Sequence, residues 1–528
     1  MSHHSRFRPM LYLSAVLIAL IVLAGCTTVQ QGAPAASEPV TAAEPATPKT
    51  GGVLIAARAA DAKGLDPHVQ TAFSSFRMLE HIYEPLLRLD ADMNVVPGLA
   101  ESWQWSDDGK TLTMAIRQGV KFHDGTPMTA ADVKFTFERL LNEETGAAAR
   151  SFFTSIESID APDDATVVFN LSAPNAAILA AMTNPNSGIM SKAWIEGGAD
   201  PTKETNGTGP FKLNSWEPDN IMVLDANRDY WESGLPRLDS IEFRTIPDES
   251  SILAALRSGD VDWAIINDPR VGMTAGTTDL TVMRSPALAY HVLQLNASRP
   301  QFQDQRVRLA LSCAIDRQQV LDTASLGEGE VTSPATPPNY RAPLDQLECY
   351  TQDVERSNQL LADAGVSGLE FTVIAAADEP PTAVAEAQNI QAQLEQIGVK
   401  MNIETLELGV YVDRWLKGDF DAAVALNGGN PDPDNMFYRY WHSTGNLNKV
   451  ANYSSPEIDA LLDEARATTD VAKRKELYLE VQKKLAEAAP WIWLYVGNEY
   501  RVMQPDVLDY TPLSNGSTVY LRETYLNR

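Results

Sequence analysis

Side chains able to do covalent or metal chemistry are thinly spread along this chain. Of its seven histidines, the five beyond the N-terminal region, His68, His81, His123, His291 and His442, are widely separated. None falls in the HExxH pattern that sets two imidazoles on one helical face for zinc. No GxSxG elbow presents a serine nucleophile, and no GxxxxGK loop cradles a phosphate. Asn430, Asp432 and Asp434 have the spacing of the oxygen ligands that open a calcium loop. Asn435, however, stands where that loop needs a turn glycine, and Trp441 where it needs a bidentate glutamate, so neither a metal nor a cofactor is expected. Carboxylates are abundant, but nothing in their spacing supports a glycosidase pair.

The chemistry that remains is non-covalent capture. Phe73, Phe76, Trp263, Tyr290, Trp415, Tyr438 and Trp441 lie beside Gly, Asn, Pro and Asp rather than inside long apolar runs. Such settings suit the walls of a cleft, where flat, stiff rings supply contact area at low entropic cost. Core or inter-lobe packing is the competing assignment for each ring. With 70 acidic against 42 basic residues, a formal charge of −28, the chain is repelled by phosphate backbones and anionic lipid surfaces, and nucleic acid is not an expected partner.

The elements that must position these residues are mixed strands and helices. Leu112, Met114 and Ile116 alternate, as do Val167, Phe169 and Leu171, which predicts half-buried strands. Thr129 and Asp132 form a capping-box start for a helix whose Val133, Phe137 and Leu140 share a face. Ser455-Pro456 opens a second helix with Ile458, Leu461, Leu462 and Ala465 inward. A third helix runs from Asp470 through Leu477, Val481 and Leu485 until Pro490 stops it, and a strand-like run begins at Trp491. No fixed-period repeat is present, so a large α/β protein is expected rather than a solenoid or propeller.

The N-terminus sets the compartment. Arg6 and Arg8 precede an apolar run, Leu11 to Leu23, that is shorter than a spanning helix needs and reads as a signal peptide. It ends in Leu23-Ala24-Gly25-Cys26, a lipobox in which Cys26 is the expected lipidation site. Residues 26–50 are poor in large apolar side chains and are expected to form a flexible tether. Besides Cys26 only Cys313 and Cys349 remain, consistent either with one disulfide in an oxidising compartment or with two buried thiols.

Pro97-Gly98-Leu99-Ala100-Glu101-Ser102-Trp103, then Ser106-Asp107-Asp108-Gly109-Lys110, then Arg117 to Gly125 with Val120-Lys121-Phe122-His123-Asp124 inside it, and Thr129 to Val133, together resemble family 5 extracellular solute-binding proteins. These are the dipeptide-, oligopeptide- and nickel-binding components of bacterial ABC importers. Gly207-Thr208-Gly209-Pro210-Phe211, Tyr230-Trp231, Ala314 to Arg317, Gly418-Asp419-Phe420-Asp421 and Ala489-Pro490 continue the resemblance in order along nearly the whole mature chain.

The resemblance implies an α/β, two-lobed, periplasmic-binding-protein-like fold with a hinge and an extra inserted subdomain. On this sequence that gives a signal peptide at 1–25, the tether at 26–50, a lobe I core from 51–82, 205–290 and 499–528, the inserted subdomain at 83–204, and lobe II at 291–498. It further implies a lipid-anchored, extracytoplasmic, monomeric, non-enzymatic receptor that closes on a small solute and delivers it to an ABC permease. A sugar or oligosaccharide receptor, a sensory or adhesive role on the same scaffold, and a secreted hydrolase are the alternatives.

The loop Leu426 to Asn435 is similar to the family's cleft loop, where dipeptide binders carry an aspartate for the substrate ammonium group. Gly429 occupies that position here, Leu426 replaces a tryptophan, and no arginine lies between Arg356 and Arg414. Asp432 substitutes for the aspartate if the gap is placed differently. A zwitterion desolvated without charged partners costs several kcal/mol, so a sugar or modified peptide is expected as readily as a free peptide. The expected ligand-binding residues are Phe73, Ser74 and Ser75 from the first lobe, Trp263 and Tyr290 near the crossover, and Trp415, Asn427, Gly428, Gly429, Asn430 and Asp432 from the second.

Overall fold

The computed structural model describes residues 48–70, 72–377, 380–445 and 447–528; the signal-like run, Cys26 and most of the tether lie outside the described residues. Among the described residues no helix is long and apolar enough to cross a membrane.

In the first lobe, Val53–Arg58 buries Leu54, Ala56 and Ala57 in the core. Burial on both faces suits a parallel strand. It pairs in parallel with Ser240–Thr245 on one side and with Trp263–Ile266 on the other, Ala56 lying opposite Trp263. Ile221–Ala226 and Phe211–Glu217 extend this sheet as antiparallel strands. In the second lobe, Tyr290–Leu295 is buried at every position and pairs antiparallel with Ala422–Asn427. Glu370–Ala376 runs parallel to Ala422–Asn427 and to Lys400–Leu406.

One 13-residue strand, Trp491–Met503, belongs to both lobes and makes the whole a single 12-stranded sheet. Its first part pairs with Tyr290–Leu295 and Gly329–Val331, its second with Trp263–Ile266 and Thr281–Pro286. Every one of these ladders ends by Gly497 or begins at Asn498 or later. The strand is buried throughout except at Gly497, Asn498 and Glu499, which are half-buried.

A separate four-stranded antiparallel sheet is built from Ala100–Trp105, Thr111–Ile116, Thr166–Leu171 and Ile156–Asp163. The alternation read from the sequence is the one that faces inward: Leu112, Met114, Ile116, Val167, Phe169 and Leu171 are all buried. The helix Ala130–Leu141 covers them with Val133, Phe137 and Leu140, and Phe137 meets Phe153 and Phe169 edge to face at 5.1 and 5.0 Å. Asp132 accepts the backbone N–H of Thr129 at 2.9 Å, closing the expected capping box. The helices Pro456–Ala467 and Val471–Ala488 also form where the periodicity placed them, the second ending at Ala489 in a left-handed conformation before Pro490.

Cys313 and Cys349 form a disulfide that spans 36 positions, and Cys313 is fully buried in the second-lobe core. Closing a loop of that length restricts the unfolded chain and is worth roughly 2–4 kcal/mol. The paired substitution Cys313→Ala with Cys349→Ala is therefore expected to lower the urea unfolding midpoint and, by letting the unfolded chain expand, to steepen the slope; equal midpoints for the two proteins would remove the bridge from the stability account.

Candidate ligand cleft

Where the long strand passes between the lobes it floors a cavity of about 800 Å³, toward the upper end of the ~300–1,000 Å³ usual for ligand sites. The first-lobe wall is made at the carboxyl ends of parallel strands, the place where open α/β sheets receive ligands. Arg58 ends its strand there, beside Phe243, Trp263 and Ile265. The short helix Phe73–Leu79 adds Ser74, Arg77 and Met78. His291, Thr382, Leu426 and Gly429 form the second-lobe wall, and Gly497, Asn498 and Glu499 the floor.

The acidic groups at the cleft are all engaged. Glu499 takes Arg77 at 3.1 Å and the fully buried Arg501 at 2.9 Å. Burial pushes its carboxyl up, but Arg501 and Arg77 outweigh that and hold it below the usual range. Glu249 accepts the backbone N–H groups of Asn267 at 3.0 Å and of Asp268 at 2.8 Å. Asp248 and Asp268 cap the helices Glu249–Ser258 and Pro269–Ala275.

The basic groups are less fully used. Arg58 pairs with Asp61, yet its Nη1 is buried with no hydrogen-bond partner among the described residues, and Trp263 Nε1 is in the same position. His291 stacks on Tyr495 with ring centroids 4.2 Å apart, and its Nδ1 lies 2.8 Å from Glu386 Oε1. The Tyr495 hydroxyl donates to the same oxygen at 2.7 Å. Burial pushes the Glu386 carboxyl up, but the His291 imidazole and the surrounding hydrogen bonds carry it below its ordinary value.

Of the residues expected from sequence, Ser74, Trp263 and Gly429 are brought together at the cleft. Most of the others have partners outside the cavity lining. Ser75 is buried, donating to Gln70 at 3.2 Å and accepting the Lys63 N–H at 2.9 Å. Tyr290 and Asn427 are buried against each other, Asn427 donating to the Tyr290 hydroxyl at 3.2 Å. Trp415 donates to Gln294 at 2.6 Å from the helix Leu408–Lys417. Gly428 is not among the cleft-lining residues, and Asn430 accepts from Asn435 at 3.3 Å. Phe73 opens its helix, and its side chain lies outside the described residues.

Two features of the 426–435 loop have steric and electrostatic causes. A Cβ at Gly429 would stand 1.9 Å from the Leu288 carbonyl oxygen, so the backbone contact itself requires glycine and leaves no room for an aspartate. Asp432, expected as the alternative, has another partner in this structure. It is buried in a bidentate pair with Arg474, at 2.6 and 2.9 Å, away from the cleft.

The residues that sequence reasoning missed are Arg58, Arg77, His291 and Glu499. For Arg58 a signal was present, a cation closing the apolar run of the first core strand. His291 read as an isolated histidine because its partner Glu386 is distant in sequence.

Removing one partner of a buried ion pair strands the other, at a cost of about 3–5 kcal/mol. Asp432→Ala is therefore expected to lose stability of that order, measured by denaturant unfolding. A variant of wild-type stability with weakened solute binding would return Asp432 to the site.

The model of "Bacterial extracellular solute-binding proteins, family 5 Middle" matches residues 94–448. The glutathione-binding protein GsiB of Salmonella typhimurium is 30% identical over 452 residues, covering 82% of this chain and 86% of that protein. The periplasmic binding protein DppA of Helicobacter pylori, solved with the peptide STSA, superposes with a TM-score of 0.75 at 29% identity, over 91% of this chain and 99% of its own. AgaA of A. tumefaciens R10, solved with agropinic acid, gives the same TM-score, 0.75, at 29% identity, over 90% and 99%. With its two lobes, shared strand and intervening cavity, the chain belongs to the family 5 bacterial extracellular solute-binding proteins, the solute-binding components of ABC importers and not enzymes.

Proposed function

We propose that the cavity between the lobes captures a peptide-like or other small polar solute and that the closed form delivers it to the permease. The observation that carries this reading is a large cavity whose walls come from both lobes and whose floor is the one strand they share. A solute touching both walls favours the closed arrangement by its difference in affinity for the two states. Protein contacts across the cleft add to it. Asn339 donates to Asp92 O at 2.9 Å and to Asn94 Oδ1 at 2.8 Å, and the Ala176 N–H donates to Arg466 O at 2.8 Å. The ligands named for relatives, glutathione, the peptide STSA and agropinic acid, are all small and polar, which supports the same class here.

Lipid anchoring at Cys26 and a monomeric state belong to the same proposal. So does the division into a lobe I core of 51–82, 205–290 and 499–528, an inserted subdomain of 83–204 and lobe II of 291–498.

A solute selective for the folded, closed state stabilises it by about 2.7 kcal/mol at a hundred times its Kd. A melting-temperature screen against peptides, sugars and acidic metabolites is expected to give a clear upward shift for at least one class. A flat response across all of them would remove the receptor reading. Cys26→Ser is expected to abolish incorporation of labelled fatty acid and to move the protein out of the membrane fraction; labelling that persists in the variant would refute anchoring at this residue.

A further inference from the structure

The cleft is unevenly supplied with donors and acceptors. Its carboxylates are spoken for: Glu499 by Arg77 and Arg501, Glu249 by backbone N–H groups, and Asp248 and Asp268 by helix caps. No cleft carboxylate stands without a partner to receive an ammonium group, and the loop offers no substitute, since Gly429 has no room for a side chain and Asp432 is held by Arg474. Donors, by contrast, remain. Arg58 Nη1 and Trp263 Nε1 are buried at the first-lobe wall without partners among the described residues. On the second-lobe wall, His291 Nδ1 lies 2.8 Å from Glu386 Oε1 without the geometry of a hydrogen bond, and no hydrogen bond among the described residues involves its Nε2.

The ground in front of Nε2 is kept open by Gly497. A Cβ built at that position would meet only Nε2, at 3.8 Å, and nothing else within contact range. Glu386, with no exposed surface, serves no solvent role. Its carboxylate lies against the imidazole, beside Thr382, and accepts from the Tyr495 hydroxyl, with the second ring nitrogen on the far side.

We propose that the solute is a carboxylic acid, its carboxylate received by His291 Nε2 on the second-lobe wall with Arg58 and Trp263 donating from the first, and that no free ammonium group is recognised. This rests on the cleft reading above and narrows it to acidic solutes such as N-blocked peptide acids or sugar acids.

The test is a calorimetric and melting comparison on the whole protein, using N-acetylated di- and tripeptide acids against their C-terminal amides, the same acids with a free amino terminus, and sugar acids against the neutral sugars. Replacing a charge-assisted hydrogen bond by a neutral one is worth about 10- to 100-fold in affinity, and the acids are expected to bind tighter than their neutral partners by that factor. His291→Gln is expected to bring the acid-to-amide ratio close to unity. Gly497→Ala, which leaves the His291–Glu386 pair untouched and covers Nε2, is expected to do the same, so the answer survives if one variant fails to fold. Amides binding as well as acids, a strong gain from a free amino terminus, or an unchanged ratio in the folded variants would each overturn the proposal while leaving the receptor reading intact. Binding by no member of the panel would overturn both.

Discussion

A strand shared by two lobes cannot move as part of both, and the geometry of this molecule follows from how Trp491–Met503 resolves that conflict. Its partners fall into two sets, Tyr290–Leu295 and Gly329–Val331 before the middle, Trp263–Ile266 and Thr281–Pro286 after it, and no ladder crosses from Gly497 to Asn498. Bending anywhere else would break paired backbone groups inside a core, at a cost comparable to losing hydrogen bonds in an apolar medium. At that junction single bonds stand in place of a ladder, the Ala287 N–H donating to Gly497 O at 2.9 Å and the Asn498 N–H to Glu328 O at 3.4 Å. The same three residues, Gly497, Asn498 and Glu499, are the half-buried ones that floor the cavity, so the break between the ladders and the cavity coincide. A solute lying on the floor is thereby in contact with the place where lobe orientation is set.

Charge at the floor reinforces this coupling. Glu499 lies just beyond the junction and takes Arg77 from the helix Phe73–Leu79 and Arg501 from the second half of its own strand. Arg77 also donates to the Gly516 carbonyl at 3.1 Å, tying in the chain's last segment. The floor is thus anchored to the first lobe. His291 and Glu386 belong wholly to the second, on Tyr290–Leu295 and Ala383–Glu395. Contact with both sets of charges is available only when the lobes are together, which is the differential affinity that a closing receptor requires.

Much of the fold was legible in the sequence because the relevant signals are local. The alternation at Leu112, Met114 and Ile116, the Thr129–Asp132 box and the Pro490 stop each act over a few residues, and each appears at its place. The cleft was less legible because its determinants are not local. Glycine, proline and asparagine around an aromatic mark a turn, and turns occur at buried edges as well as at clefts. Tyr290 and Trp415 went to the second-lobe interior, held by Asn427 and Gln294, whereas Trp263 did reach the wall. The pairings that decide which charges are free, Asp432 with Arg474 and His291 with Glu386, join residues 42 and 95 positions apart, the second being 386 − 291. No spacing rule reaches that far.

The contrast between the whole chain and its cleft is then informative. A formal charge of −28 makes the surface repel anions, but at physiological ionic strength such repulsion fades over a Debye length of about 8 Å. Inside a walled cavity the nearest groups decide instead, and they act through a lower effective dielectric. There the carboxylates are held by a guanidinium, a backbone amide or a helix cap, while Arg58 Nη1 and Trp263 Nε1 have no partner among the described residues. Selection for a cationic ligand would leave the opposite residue, acceptors without donors. The direction of that imbalance is independent of the net charge, and it is the closest the bare protein comes to carrying an imprint of its solute.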